Sequence, residues 1–110
     1  MQIYKILRGP EWDELQANGA TRGAPIDVAD GYVHFSTAAQ VTETAAKHFA
    51  GEEGLWLLTL ESEELSPLEW EPSRGGQLFP HLYGPLRLDD VKEAVPLTLE
   101  GGSHRFPPLA

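Results

Sequence analysis

Apolar positions along this chain switch between strand-like and helix-like rhythms. Residues 2–7, with Ile3, Tyr4, Ile6 and Leu7, predict an opening strand. Gly9-Pro10 stops it, and proline suits the first turn of a helix. A short helix is expected over residues 11–18, with Trp12 and Leu15 on its buried face and Glu11, Asp13 and Glu14 near its positive end. Gly19 ends it, because glycine accepts the left-handed conformation. Residues 20–30, punctuated by Gly23, Pro25 and Asp30-Gly31, read as a loop.

The segment Gly31-Tyr32-Val33-His34-Phe35-Ser36-Thr37 predicts a strand in which Tyr32, His34 and Ser36 share one face. Thr37 and Gln40 have capping-box spacing, and Ala38, Val41, Ala45 and Phe49 form an apolar stripe, so a helix is expected over residues 38–50. Residues 54–60 are almost continuously apolar, as in a central strand covered on both faces. An acidic loop follows, carrying Glu61, Glu63, Glu64, Glu69 and Glu71, with Leu65, Leu68 and Trp70 as anchors. Arg74-Gly75-Gly76 reads as a flexible turn before a second histidine segment, Phe79-Pro80-His81-Leu82-Tyr83-Gly84. There Phe79, His81 and Tyr83 share a face, and Pro80 places the strand at an edge or bulge. Residues 88–94 suggest one helical turn, 95–100 a strand and 101–110 a surface tail. The expected fold is α+β: a small single domain over residues 1–110, with about two helices packed on curved, mostly antiparallel sheets.

Composition narrows the classes of function. The absence of cysteine excludes disulfides, a thiol nucleophile and thiolate metal sites. Seventeen acidic against eight basic residues, a net charge of -9, oppose long polyanions, and the cations are spread singly. No extended nucleic-acid contact is expected, although one or two arginines suffice for a dinucleotide's phosphates. The first residues lack a signal-peptide core, and the longest apolar run, residues 55–58, is far too short to span a bilayer. A soluble cytoplasmic protein without membrane contact is the expectation.

The two histidine segments concentrate the useful chemistry. His34 and His81 suit ligand binding or proton transfer, and each also suits a satisfied strand histidine. Ser36 and Thr37 stand at a strand-to-helix junction that favours anions, with helix capping as the structural role for Thr37. Tyr32 and Tyr83 offer rings for stacking, or for core packing. Glu71 shares a strand face with Glu69 if that stretch is extended, and beside Trp70 it could be desolvated and poised; a solvated acidic loop is the alternative. His48 suits the negative end of its helix, and His104 reads as solvated. No histidines have close ligand spacing, so no metal site is expected.

The two segments, joined by Trp70-Glu71, resemble a family of small, mostly bacterial proteins known as a domain of unknown function. The similarity runs from Ile3-Tyr4-Lys5-Ile6 to Val95-Pro96-Leu97. That family is similar in fold to the ADP-ribosyltransferases, which split NAD in a cleft between two small antiparallel sheets. The resemblance implies a nucleotide-like ligand, with NAD as a possible cofactor. Ser36-Thr37 and the helix after them look like the serine/threonine element of those transferases. Lys5 stands where they place histidine or arginine, and Glu69-Trp70-Glu71 has the spacing of their late glutamate motif. On this reading His34, His81 and Glu71 are catalytic, while Tyr32, Ser36, Thr37 and Tyr83 bind the ligand. Two other readings stand beside it: a catalytically inert metabolite-binding module, and a protein-interaction domain using its acidic surface.

Overall fold

The computed structural model describes residues 1–109, Arg74 by its backbone. Its largest sheet has five antiparallel strands in the order β10-β9-β5-β1-β4. These are β1 (Gln2–Arg8), β4 (Ser36–Thr37), β5 (Leu55–Glu61), β9 (Glu93–Glu100) and β10 (Ser103–Arg105). A smaller sheet runs β3-β7-β6, with β3 (Val33–His34), β6 (Leu68–Pro72) and β7 (Leu78–Leu82). A ribbon pairs β2 (Ala20–Thr21) with β8 (Leu86–Arg87). The helices are α1 (Gly9–Asn18), α2 (Pro25–Asp30) and α3 (Val41–His48). The α+β class is as expected, with three helices where two were anticipated.

Burial explains the large sheet. β5 lies between β1 and β9, and its Leu55, Leu57, Leu58 and Leu60 are fully buried. Each contributes about 1.5–3 kcal/mol by leaving water. On one face Ile3, Leu7, Leu58 and Leu60 pack with Trp12 and Leu15 of α1. On the other, Tyr4, Ile6, Leu55 and Leu57 pack with Val41 and Ala45 of α3. Trp12 and Trp56 meet at 5.8 Å between ring centres on the α1 side.

Several expectations need correction. Residues 20–30 are not all loop, because Pro25–Asp30 form α2. The first histidine segment is not one strand. It breaks at Phe35, so β3 joins the small sheet and β4 pairs with β1 in the large one. The second long helix starts at Val41, with Gln40 rather than Thr37 as its cap residue. Gln40 nonetheless accepts the Thr37 N–H at 3.0 Å, which is half of a capping box. The acidic stretch contains strand β6, and Trp70 on it is exposed instead of anchoring; Leu65 is buried. Pro80 sits in the central strand of the small sheet, not at an edge. The paired residues of β3 end at His34 opposite His81, and beyond them Pro80 still accepts the Phe35 N–H at 3.0 Å, so only the donor half of that pairing is missing. The tail folds back as β10, and His104 contacts the Glu52 carbonyl at 2.7 Å.

No helix among the described residues is long and apolar enough to cross a membrane.

Candidate functional site

The pairing of β3 with β7 sets His34 directly opposite His81. Side chains opposite each other on one sheet face are in contact range, and the two imidazoles meet edge-to-face at 5.3 Å. Tyr32 stacks on His81 at 4.2 Å and lies 4.6 Å from His34 and 5.1 Å from Tyr83. The two histidine segments therefore build one cluster.

His81 is held from β6. Its Nδ1 lies 2.8 Å from Glu71 Oε1, and the Tyr83 hydroxyl donates to the same oxygen at 2.7 Å. These bonds from Tyr83 and His81 hold the Glu71 carboxyl below its ordinary range. The bond to Glu71 pushes the Tyr83 hydroxyl up to about 12. An ionised carboxylate only accepts, so Nδ1 donates, and in the neutral imidazole this leaves Nε2 presenting its lone pair. That Nε2 is buried and has no hydrogen-bond partner among the described residues. Native proteins rarely leave such an atom without one.

His34 is held from α2. Its Nδ1 lies 2.5 Å from Asp27 Oδ1 and its Nε2 3.0 Å from Asp30 Oδ2. Its backbone N–H also donates to Asp27, at 3.0 Å. Asp27 is fully buried, pairs with Lys5 Nζ at 2.8 Å and accepts the Ala24 N–H at 2.7 Å. Burial pushes the Asp27 carboxyl up, but the bond from His34 and the charge of Lys5 prevail and hold it at about 2. Burial also pushes the Lys5 amine down, against the pull of Asp27.

An acid titration tests this arrangement. A carboxyl depressed in the folded state stabilises it above the ordinary value of 3.8 and loses that contribution as pH falls through about 2. The expected loss over that window is about 2 kcal/mol, read from urea unfolding curves at successive pH values. The Asp27→Asn variant should show a shallower acid slope; an unchanged slope would reject Asp27 as its source.

Beside the histidines opens a cleft of about 560 Å³, within the range of small-molecule sites. β1 forms one wall through Tyr4, Lys5 and Ile6. β4 pairs only with Ile3 and Tyr4, so beyond Tyr4 this edge of β1 has no neighbouring strand among the described residues. Phe35, Phe49 and Phe79 supply apolar surface, and Ser36 lies 2.9 Å from the Thr44 hydroxyl. His34, His81 and Ser36 are on the wall, whereas Tyr32, Tyr83 and Glu71 stand against the histidines without lining it. Glu71 is partly exposed with a lowered pKa, so it is not a desolvated acid. Thr37 lies off the cleft, opposite Ile3. His48, expected to serve only its helix, lines the cleft as well. Among the described residues no three His, Asp or Glu side chains are grouped to hold a metal ion.

A family model described as "protein of unknown function (DUF952)" matches residues 6–94. The chain belongs to this family. The crystal structure of protein CC0527 from Caulobacter crescentus is similar to this DUF952 protein, with a TM-score of 0.91 and 46% identity over 96% of this chain and 94% of that one. The solution structure of CC0527 gives a TM-score of 0.84 and 46% identity over 94% of this chain and 90% of that one. No curated protein matches the chain.

Besides the cleft position of His48, sequence reasoning missed Asp27, Asp30 and the burial of Lys5 in the candidate site. A signal for the first two was present. Pro25 with an acid two residues later and Gly31 at the end is a short-helix signature. Gly31 adopts φ 86 at the end of α2, and its N–H donates to the Asp27 carbonyl at 2.9 Å. Nothing local in β1 marks Lys5 as buried, because its partner is 22 positions away.

Proposed function

We propose that the cleft binds a nucleotide-like small molecule, with NAD the leading candidate, and that His81 Nε2 is its central polar contact. The carrying observation is that this nitrogen is buried on the cleft wall and unpartnered among the described residues, with Nδ1 of the same ring held by Glu71. A ligand N–H or O–H placed there would complete it. The open edge of β1 suits a carboxamide, which offers both a donor and an acceptor to strand backbone. The Ser36 and Thr44 hydroxyls suit a ribose, and the phenylalanines suit a planar ring. The resemblance drawn from the sequence implies the same ligand class.

In the transferase form of this reading, His81 Nε2 takes the proton of an incoming hydroxyl. The oxygen bonds to the ribose carbon as the bond to nicotinamide breaks, and nicotinamide leaves with that electron pair. Glu71 acts through His81 as a positioning residue, and Tyr32 holds the imidazole plane. One observation favours plain binding instead. Asp30 is the single carboxylate on the described cleft wall, and it is engaged by His34, so no free acid stands ready for a cationic sugar.

The histidine ring signals followed by NMR during NAD addition test the binding. His81 should shift saturably, and His81→Phe, which keeps the stack under Tyr32, should weaken NAD at least about tenfold. No His81 shift at millimolar NAD would overturn the reading. Nicotinamide release decides between the two forms: release above a His34→Ala/His81→Ala control supports the transferase, and none supports the binding module.

A further inference from the structure

The chain has three lysines, and they occupy very different surroundings. Lys47 and Lys92 are surface residues, with side chains 55% and 42% exposed. Lys5 is 7% exposed and stands on the wall of the cleft. Its amine does not end in a simple pair. Lys5 Nζ lies 2.8 Å from Asp27 Oδ2, Asp27 Oδ1 lies 2.5 Å from His34 Nδ1, and His34 Nε2 lies 3.0 Å from Asp30 Oδ2. The Asp30 side chain is 40% exposed. Three titratable groups thus connect a buried amine to solvent, with every step at hydrogen-bond distance. A lysine that merely neutralised Asp27 would need no exit through His34 and Asp30.

We propose that Lys5 is a reactive amine that condenses with the carbonyl carbon of a small aldehyde admitted to the cleft. The ammonium first passes a proton along Asp27, His34 and Asp30 to water. Its freed lone pair bonds to the carbonyl carbon, and a proton moves from that nitrogen to the oxygen, giving a neutral carbinolamine whose nitrogen again carries a lone pair. That hydroxyl receives a second proton returned along the same chain and leaves as water, while the nitrogen lone pair forms the C=N bond. The iminium proton is then given up, so the net change is amine plus aldehyde to imine plus water, with no oxidant or reductant. Burial favours the uncharged amine, while Asp27 opposes it; Arg8 and Glu11 are the other charges that act on Lys5. The apolar walls of Phe35 and Phe79 limit the water that would hydrolyse the product.

The test is reductive trapping of the intact protein with glycolaldehyde and cyanoborohydride at about pH 7, followed by peptide mass mapping. Lys5 should be modified at least about tenfold faster than Lys47 or Lys92. Asp30→Asn, a partly exposed change, should slow modification of Lys5 several-fold and leave Lys47 unaffected. Labelling in the order of exposure, with Lys47 and Lys92 first, would overturn the proposal. So would labelling of Lys5 only in urea, or an unchanged Lys5 rate in a folded Asp30→Asn protein. This inference does not rest on NAD binding: a cleft that ignores NAD can still label at Lys5, and one that binds NAD can leave Lys5 untouched.

Discussion

Replacing Asp27 with alanine is expected to lower the free energy of unfolding by about 3–5 kcal/mol, the usual effect of removing one partner from a buried ion pair. The change leaves Lys5 buried without its counter-charge and removes the acceptor for the N–H groups of Ala24 and His34. It also deprives His34 Nδ1 of its contact, so α2 loses its tie to β1 and β3 together. Urea denaturation should show the midpoint falling with an unchanged slope. The double variant Lys5→Met/Asp27→Ala separates the causes, because it removes the stranded charge as well. It should recover a large part of the loss. A double variant no more stable than Asp27→Ala alone would reject the ion pair as the source.

Gly23→Ala is expected to cost about 2–4 kcal/mol, from two penalties that fall on one atom. Gly23 has φ +98, where a side chain is strained, and an added Cβ would lie 2.2 Å from Asp27 Oδ2. It would also lie 2.8 Å from the Asp27 Cβ and Cγ, so rotating the carboxylate does not relieve the clash. The same substitution in an Asp27→Ala background should cost less, since the contacts to Oδ2 at 2.2 Å and Cγ at 2.8 Å are gone and only the one to Cβ at 2.8 Å remains. Thermal unfolding of the four proteins reads the coupling directly. Additive losses would mean that backbone strain alone accounts for Gly23.

How far the sequence reveals this site depends on the range of each interaction. Strand alternation correctly sets Tyr32 beside His34, and puts His81 and Tyr83 on one face where both reach Glu71, because period-two geometry is local. It fails for Ser36, since the chain changes sheets at Phe35 and a pattern of alternation carries no mark of that crossing. Ser36 still reaches the cleft, but from the other sheet. The central position of β5 was legible from its continuous apolar run, whereas β6 was hidden by its charges. Its glutamates face water or the histidine cluster, so an outer strand looked like a loop. Glu71 meeting His81 is a diagonal cross-strand contact, Glu71 being opposite Phe79, and it becomes visible only once the register is known. Lys5 is singled out by the resemblance only as standing where transferases place histidine or arginine, and its pairing with Asp27 of α2 has no local mark in β1.

The aromatic residues are partitioned so that the protein carries two separate optical reporters. Trp12 and Trp56 pack together in the core, and Trp70 lies on the exposed strand β6. None of the three tryptophans lines the cleft. All three tyrosines border the site: Tyr4 on its wall, Tyr32 stacked on His81 and Tyr83 bonded to Glu71. Tryptophan emission will therefore follow unfolding, while tyrosine difference absorbance will follow occupancy of the cleft. One sample, read at two wavelengths, distinguishes a variant that has lost its ligand from one that has lost its fold.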